Sequence, residues 1–134
     1  MANASWSFRT KNYRLAADYT NMKVIRRKNA VRYENSDKCV AFGYDFGEKD
    51  IDMSDVEISG RYPDGGRVVN EVCKELIFVQ NGSGKIVIEG EEISLEKGDQ
   101  ALINPGEKYF YDGKMTLFVS CVPAWYQAQH KAVE

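Results

Sequence analysis

The sequence predicts an all-β barrel in one domain, and two observations carry that prediction. From residue 60 onward, turn formers recur at short intervals: "PDGG" (63–66), "NGSG" (81–84), "EGEE" (89–92), "EKGD" (96–99), "NPGE" (104–107) and "DGK" (112–114). Between them lie short runs rich in β-branched and aromatic residues, "ELIFVQ", "KIVIE", "EISLE", "QALIN", "KYFY" and "MTLFVSCV". Closely and evenly spaced short strands of this kind indicate an antiparallel sandwich or barrel. A length of 134 residues suits one domain with a proper core.

The elements follow in chain order. "DYTNM" is read as a short N-terminal turn, "KVIRR", "CVAFGYDFG" and "SDVEISGRY" as strands that widen the sheets, and "ENSDK" and "GEKDIDMSD" as connecting loops. Gly82, Gly84 and Gly90 are expected to supply the positive φ of tight hairpins. "EEISLEKGD" alternates Ile93 and Leu95 with polar neighbours, the pattern of a strand with one wet face. "PAWYQAQHKAVE" is helix-compatible after Pro123 and is expected to fold back on the barrel.

Composition narrows the function classes. Apolar residues make up 43% and charged residues 28%, with a net charge of −2 and both signs interspersed. That balance offers no electrostatic footprint for nucleic acid or an anionic membrane. The one compact basic run, "IRRK" at 25–28, reads as a solvated strand end. No stretch has the apolar length of a membrane helix, and the N-terminal residues lack the apolar core of a secretory signal. Three widely spaced cysteines, Cys39, Cys73 and Cys121, form no C-x-x-C pair and suggest neither a disulfide framework nor a structural zinc site. A reduced, cytoplasmic chain is the simplest expectation.

From Gly60 to about Pro123 the sequence resembles the cupin superfamily of small double-stranded β-helix, jelly-roll-like barrels. Cupins carry two motifs, approximately G-x5-H-x-H-x(3,4)-E-x6-G and G-x5-P-x-G-x2-H-x3-N. Glu75 followed by Gly82 in "ELIFVQNG" matches the end of the first. Gly98 and Gly106 match the second, with the proline shifted to Pro105. The resemblance implies one cupin domain over 1–134: N-terminal strands and extension (1–59), motif core (60–123) and a short C-terminal tail or helix (124–134). The histidine positions, however, fall on Val69 and Glu71, or on Val68 and Asn70 with a longer spacer, and then on Tyr109; the asparagine position becomes Gly113. The metal that cupins usually hold therefore has no imidazole ligands here, and no metal or other cofactor is expected. Glu71 and Glu75 offer only oxygen donors, of the kind that suits magnesium or manganese.

Strand parity would place Glu71, Cys73 and Glu75 on one lumen face. A carboxylate inside an apolar barrel has its pKa raised and can serve as acid or base near neutrality; its bland counterpart is a barrel-mouth glutamate satisfied by Arg61, Arg67 or a tyrosine. Tyr109 and Tyr111 share a face, and Tyr109 is the stronger candidate for ligand contact. Asn70 offers an amide in the register that competes with Glu71. Chemistry at Cys73 or Cys121 would need an activating base, and both read as small buried hydrophobes. His130, the only histidine, is either an exposed tail residue or a rim group that titrates near pH 7.

The candidate ligand-binding residues are thus Glu75, Tyr109, Asn70, Glu71 and His130. The implied function is a metal-independent barrel binding a sugar, sugar phosphate or small carboxylate. Its alternatives are a metal-free isomerase, epimerase or lyase using Glu75, Tyr109 or His130 for proton transfer, and a dimerisation or partner-binding module with a filled barrel. Cupins commonly pair through their sheets, so a homodimer is compatible with the sequence.

Overall fold

The computed structural model describes residues 21–134. The expected "DYTNM" turn lies largely outside them. The chain forms strands β1 (Val31–Ser36), β2 (Cys39–Gly43), β3 (Asp52–Ser59), β4 (Arg67–Asn70), β5 (Lys74–Ile88), β6 (Glu91–Glu96), β7 (Gln100–Ile103), β8 (Lys108–Val122) and β9 (His130–Val133). All are paired antiparallel. The only helical pieces among the described residues are single 3₁₀ turns at Arg27–Asn29 and Gln127–Gln129.

Two strands of fifteen residues each, β5 and β8, organise the barrel. They pair along their whole length, and each then changes partners midway. The first part of β5 pairs with β7 and the second with β6. β8 pairs with β4 at its start and with β3 from Lys114 to Cys121. The strand path β1-β2-β3-β8-β4-β9 therefore curls into a half-barrel, an all-β jelly-roll-like fold.

Alternation sets which side chains face inward. On β8 Tyr109, Tyr111, Met115, Leu117, Val119 and Cys121 are buried, all at odd numbers. On β5 the inward set is Glu75, Ile77 and Val79, and beyond a bulge between Val79 and Asn81 it moves to Ile86. A bulge adds one residue to one strand and so exchanges its two faces. Without it, Ile86 would point to water. The core packed between these strands includes Ile58, Ile77, Val79, Ile86, Ile103 and Leu117, each at most 2% exposed. Burying one such side chain stabilises the fold by about 1.5–3 kcal/mol.

Several local expectations are corrected. "NGSG" and "DGK" are not turns; both lie inside the long strands, where Gly84 pairs with Gly113. A Cβ on Gly113 would stand 2.4 Å from the Gly84 Cα, at φ +137, so this pair answers a close backbone approach rather than a hairpin. The Glu89-Gly90 turn does join β5 to β6, with φ of +50 and +85, the sign pattern of a type I′ hairpin. "KVIRR" is not a strand: it runs into the first 3₁₀ turn, and Arg27 there pairs with Asp55 at 3.5 Å and covers the Phe42 ring. The tail forms no α-helix. After one 3₁₀ turn it becomes β9 and pairs with β4. No helix among the described residues is long and apolar enough to cross a membrane.

Gly113→Ala should lower stability by about 2 kcal/mol or more in urea denaturation, since strain and overpacking combine. Gly65→Ala, where a Cβ meets nothing within 4 Å, should stay within about 0.5 kcal/mol of wild type.

Candidate functional site

The site is built on inward positions of four strands, β4, β5, β8 and β9, with β8 contributing three of them. The β4–β9 register sets Asn70 opposite His130, and the β5–β8 register sets Glu75 opposite Cys121. Tyr109 and Tyr111 enter from the far end of β8. Glu75 is 5% exposed and its carboxyl receives four donors. Tyr109 and Tyr111 donate their hydroxyls to Oε1 at 3.1 and 3.2 Å. The Asn70 amide and the Cys121 thiol face Oε2 at 3.3 and 3.6 Å.

The direction of each hydrogen bond can be traced from the backbone. Val72 and Cys73 both donate their N–H groups to Gln129 Oε1 at 3.1 Å, which fixes the orientation of that amide. Its Nε2 then donates to Asn70 Oδ1 at 3.0 Å. Asn70 Oδ1 is thereby an acceptor, leaving Asn70 Nδ2 to donate toward Glu75 and toward Tyr109 Oη at 3.4 Å. His130 Nδ1 lies 2.7 Å from the same Oδ1 and must carry the hydrogen. In neutral imidazole the other nitrogen, Nε2, is then an acceptor. Among the described residues no buried side-chain nitrogen or oxygen lacks a partner.

Burial sets the protonation states. Desolvation pushes Glu75 above the ordinary carboxylic range, and its four hydrogen bonds only partly oppose that rise. Burial, reinforced by the Glu75 carboxyl, pushes Tyr109 and Tyr111 well above the usual phenol value. Tyr62, which pairs with Tyr111 through the backbone, is pushed up to about 12, chiefly by burial. Burial raises the Cys39 thiol to about 11 and raises Cys121 further, so neither is a thiolate near neutrality. His130 is shifted the other way: desolvation lowers it and favours neutral imidazole.

The network borders a cavity of about 660 Å³, within the ~300–1,000 Å³ usual for small-molecule sites. Glu75, Tyr109, Tyr111, Cys121 and His130 line it, with Trp125 and Tyr126 from the tail. The Trp125 and His130 ring centroids are 5.4 Å apart.

Four of the residues singled out by sequence come together here: Glu75, Tyr109, Asn70 and His130. Glu71 does not. The chain leaves β4 at Asn70, and the β4–β5 connection breaks the strand parity, so Glu71 is exposed and apart from Glu75. Of the two competing registers, the one that turns Asn70 inward is realised. Arg61 bonds to the Pro63 and Gly66 carbonyls and covers the Phe110 ring, and Arg67 bonds to the Glu134 carbonyl; neither satisfies Glu75. Sequence reasoning undervalued Tyr111, although its parity with Tyr109 was visible. It missed Gln129, whose partners become apparent only once the tail is registered against β4.

No family model matches the chain, and no curated protein matches it. Solved structures do. The nucleoside dehydratase Pac13 of Streptomyces, in a variant determined with uridine, aligns with a TM-score of 0.78 at 15% identity, covering 86% of this chain and 93% of that one. Ectoine synthase from P. lautus aligns with a TM-score of 0.65 at 14% identity, covering 84% and 91%. The polyketide cyclase RemF of Streptomyces resistomycificus aligns at 0.66 and 15%, covering 84% and 86%. These are cupin-fold proteins. The barrel is cupin-like.

The metal that cupins usually hold does not fit the residues of this barrel. In the register that is realised, Val68 and Asn70 stand at the two ligand positions and offer no imidazole, Glu71 points to solvent, and Tyr109 is a protonated phenol bonded to Glu75. The donors around Glu75 occupy both of its oxygens, and His130 Nδ1 is engaged by Asn70. Among the described residues no three of His, Cys, Asp and Glu converge on one point.

Gln129→Ala should cost about 2 kcal/mol or more in urea denaturation, because it strands the backbone N–H groups of Val72 and Cys73. The raised pKa of Glu75 has a pH signature as well. The folded state holds the proton more tightly, so this contribution to stability is full below the ordinary glutamate range and is lost as pH rises through the folded pKa. Stability of Glu75→Gln measured across that interval should fall less with pH than that of wild type.

Proposed function

We propose that the cupin-like barrel binds a small polar molecule in its lumen, against Glu75, Tyr109 and His130 with Asn70 orienting them from behind the lining, and without a metal. The supporting observation is a ligand-sized cavity bordered by a fully hydrogen-bonded polar cluster around a buried carboxyl. Such clusters are preorganised, so a ligand meets oriented donors and acceptors at little ordering cost. The solved cupin-fold structures include a nucleoside dehydratase with uridine, an ectoine synthase and a polyketide cyclase, all names that point to small molecules. Glu71, exposed and outside the cavity lining, plays no part in this reading.

A second reading is favoured by the opposite shifts of two groups joined through Asn70. Glu75 is held toward its protonated form and His130 toward neutral imidazole. Titratable groups driven apart in this way make an acid and a base at one pH. His130 Nε2 would take a proton from carbon while Glu75 gives its own to a departing hydroxyl, releasing water and leaving a double bond. That is lyase chemistry, and the same pair would serve an isomerase or epimerase.

A thermal-shift screen of sugars, sugar phosphates, nucleosides and small carboxylates tests binding. At least one class should raise the melting temperature, and Glu75→Gln and Tyr109→Phe should each weaken the bound compound about tenfold, or ~1.4 kcal/mol. Glu71→Gln should bind as wild type does. A screen without any stabilising compound would count against lumen binding, as would variants indistinguishable from wild type. For the lyase reading, solvent deuterium should enter the bound compound in wild type and not in His130→Gln.

A further inference from the structure

The polar cluster occupies only one side of the cavity; the rest of the lining carries a charge pattern of its own. Asp45, Glu48 and Asp52 contribute carboxyl groups in addition to Glu75, and no lysine or arginine among the described residues lines the cavity. Lys23, beside the lining residues Phe46 and Glu48, is held by Glu48 at 2.6 Å and by the Phe46 carbonyl at 2.9 Å. Asp52 is half-buried, accepts the Trp125 N–H at 2.9 Å, and is raised by desolvation. Arg61 and Arg67 are tied to backbone carbonyls and do not line the cavity.

An anionic ligand would find none of the usual means of capture there. Phosphate and carboxylate groups are recognised by guanidinium forks, ammonium groups or helix N-termini. The helical pieces among the described residues are 3₁₀ turns of three residues, and no described cationic side chain lines the cavity. Bringing a phosphate beside these carboxyl groups, with no described cation in the lining to offset them, adds repulsion to the cost of its desolvation. Hydroxyl groups fare better, because carboxyl and imidazole acceptors suit O–H donors. Tyr33, Tyr44, Phe46, Trp125 and Tyr126 supply flat apolar faces along the same lining, and rings stack on such faces.

Resting on lumen binding, we infer that the cavity selects an uncharged, polyhydroxylated ring compound and rejects its phosphorylated or carboxylated counterpart. This narrows the ligand range that sequence alone leaves open, in which sugar phosphates and small carboxylates stand beside sugars.

Isothermal titration with matched pairs tests the inference: uridine and adenosine against their 5′-monophosphates, and glucose against glucose 6-phosphate and glucuronate. An uncharged member should bind, and its charged counterpart should bind at least tenfold more weakly. The double variant Asp45→Asn with Asp52→Asn, checked for its fold by circular dichroism, should narrow that gap at least threefold. A charged member binding as tightly as its partner, or tighter, overturns charge selection and leaves lumen binding standing. A gap unchanged in the double variant overturns the role given to these carboxyl groups. If no member binds, lumen binding and charge selection fall together.

Discussion

The contact on which the site depends is the pair of backbone hydrogen bonds from Val72 and Cys73 to Gln129 Oε1. Backbone N–H groups can only donate, so this amide has one orientation. The orientation passes without ambiguity to Asn70, from Asn70 to His130 on one side, and to Glu75 on the other. A cluster whose polarity is set from a rigid backbone is costly to reverse inside a low-dielectric interior. It also joins the C-terminal tail to the centre of the barrel, because Gln129 precedes β9 and its carbonyl receives the Glu71 N–H at 2.9 Å.

The architecture serves this cluster through two departures from regular strand geometry. The bulge between Val79 and Asn81 lets one end of β5 present Glu75 while the other presents Ile86. The Gly84–Gly113 approach lets β5 and β8 lie closer at mid-length than any side chain would permit. Tyr109 and Tyr111, from one end of β8, consequently reach the carboxyl of Glu75, which pairs with Cys121 near the other. Curvature of the long strands and chemistry of the site are therefore one problem with one solution.

Much of the fold was legible in the sequence because turns are local chemistry. Glu89-Gly90 and the turns around Gly98 and Gly106 can be read from their residues alone. Gly82, Gly84 and Gly113 misled for a physical reason: glycine marks a tight turn and a close strand approach equally well. The inward direction of Glu75 and of Tyr109 was readable from parity. Glu71 was not, since parity holds only while the strand continues, and β4 ends at Asn70. Gln129 was invisible because its role requires a tail strand registered against β4, a long-range pairing with no local signature. His130 was named, but its direction was beyond reach for the same reason.

The central claim is that this cluster has one fixed polarity, which turns an acceptor nitrogen of His130 toward a ligand beside a Glu75 carboxyl whose pKa burial raises. The sole histidine of the chain makes the claim directly measurable. Long-range ¹H–¹⁵N NMR of the imidazole at neutral pH reports which nitrogen carries the hydrogen. A neutral ring protonated at Nδ1 is the predicted result. A neutral ring protonated at Nε2, or a doubly protonated imidazolium, would contradict it.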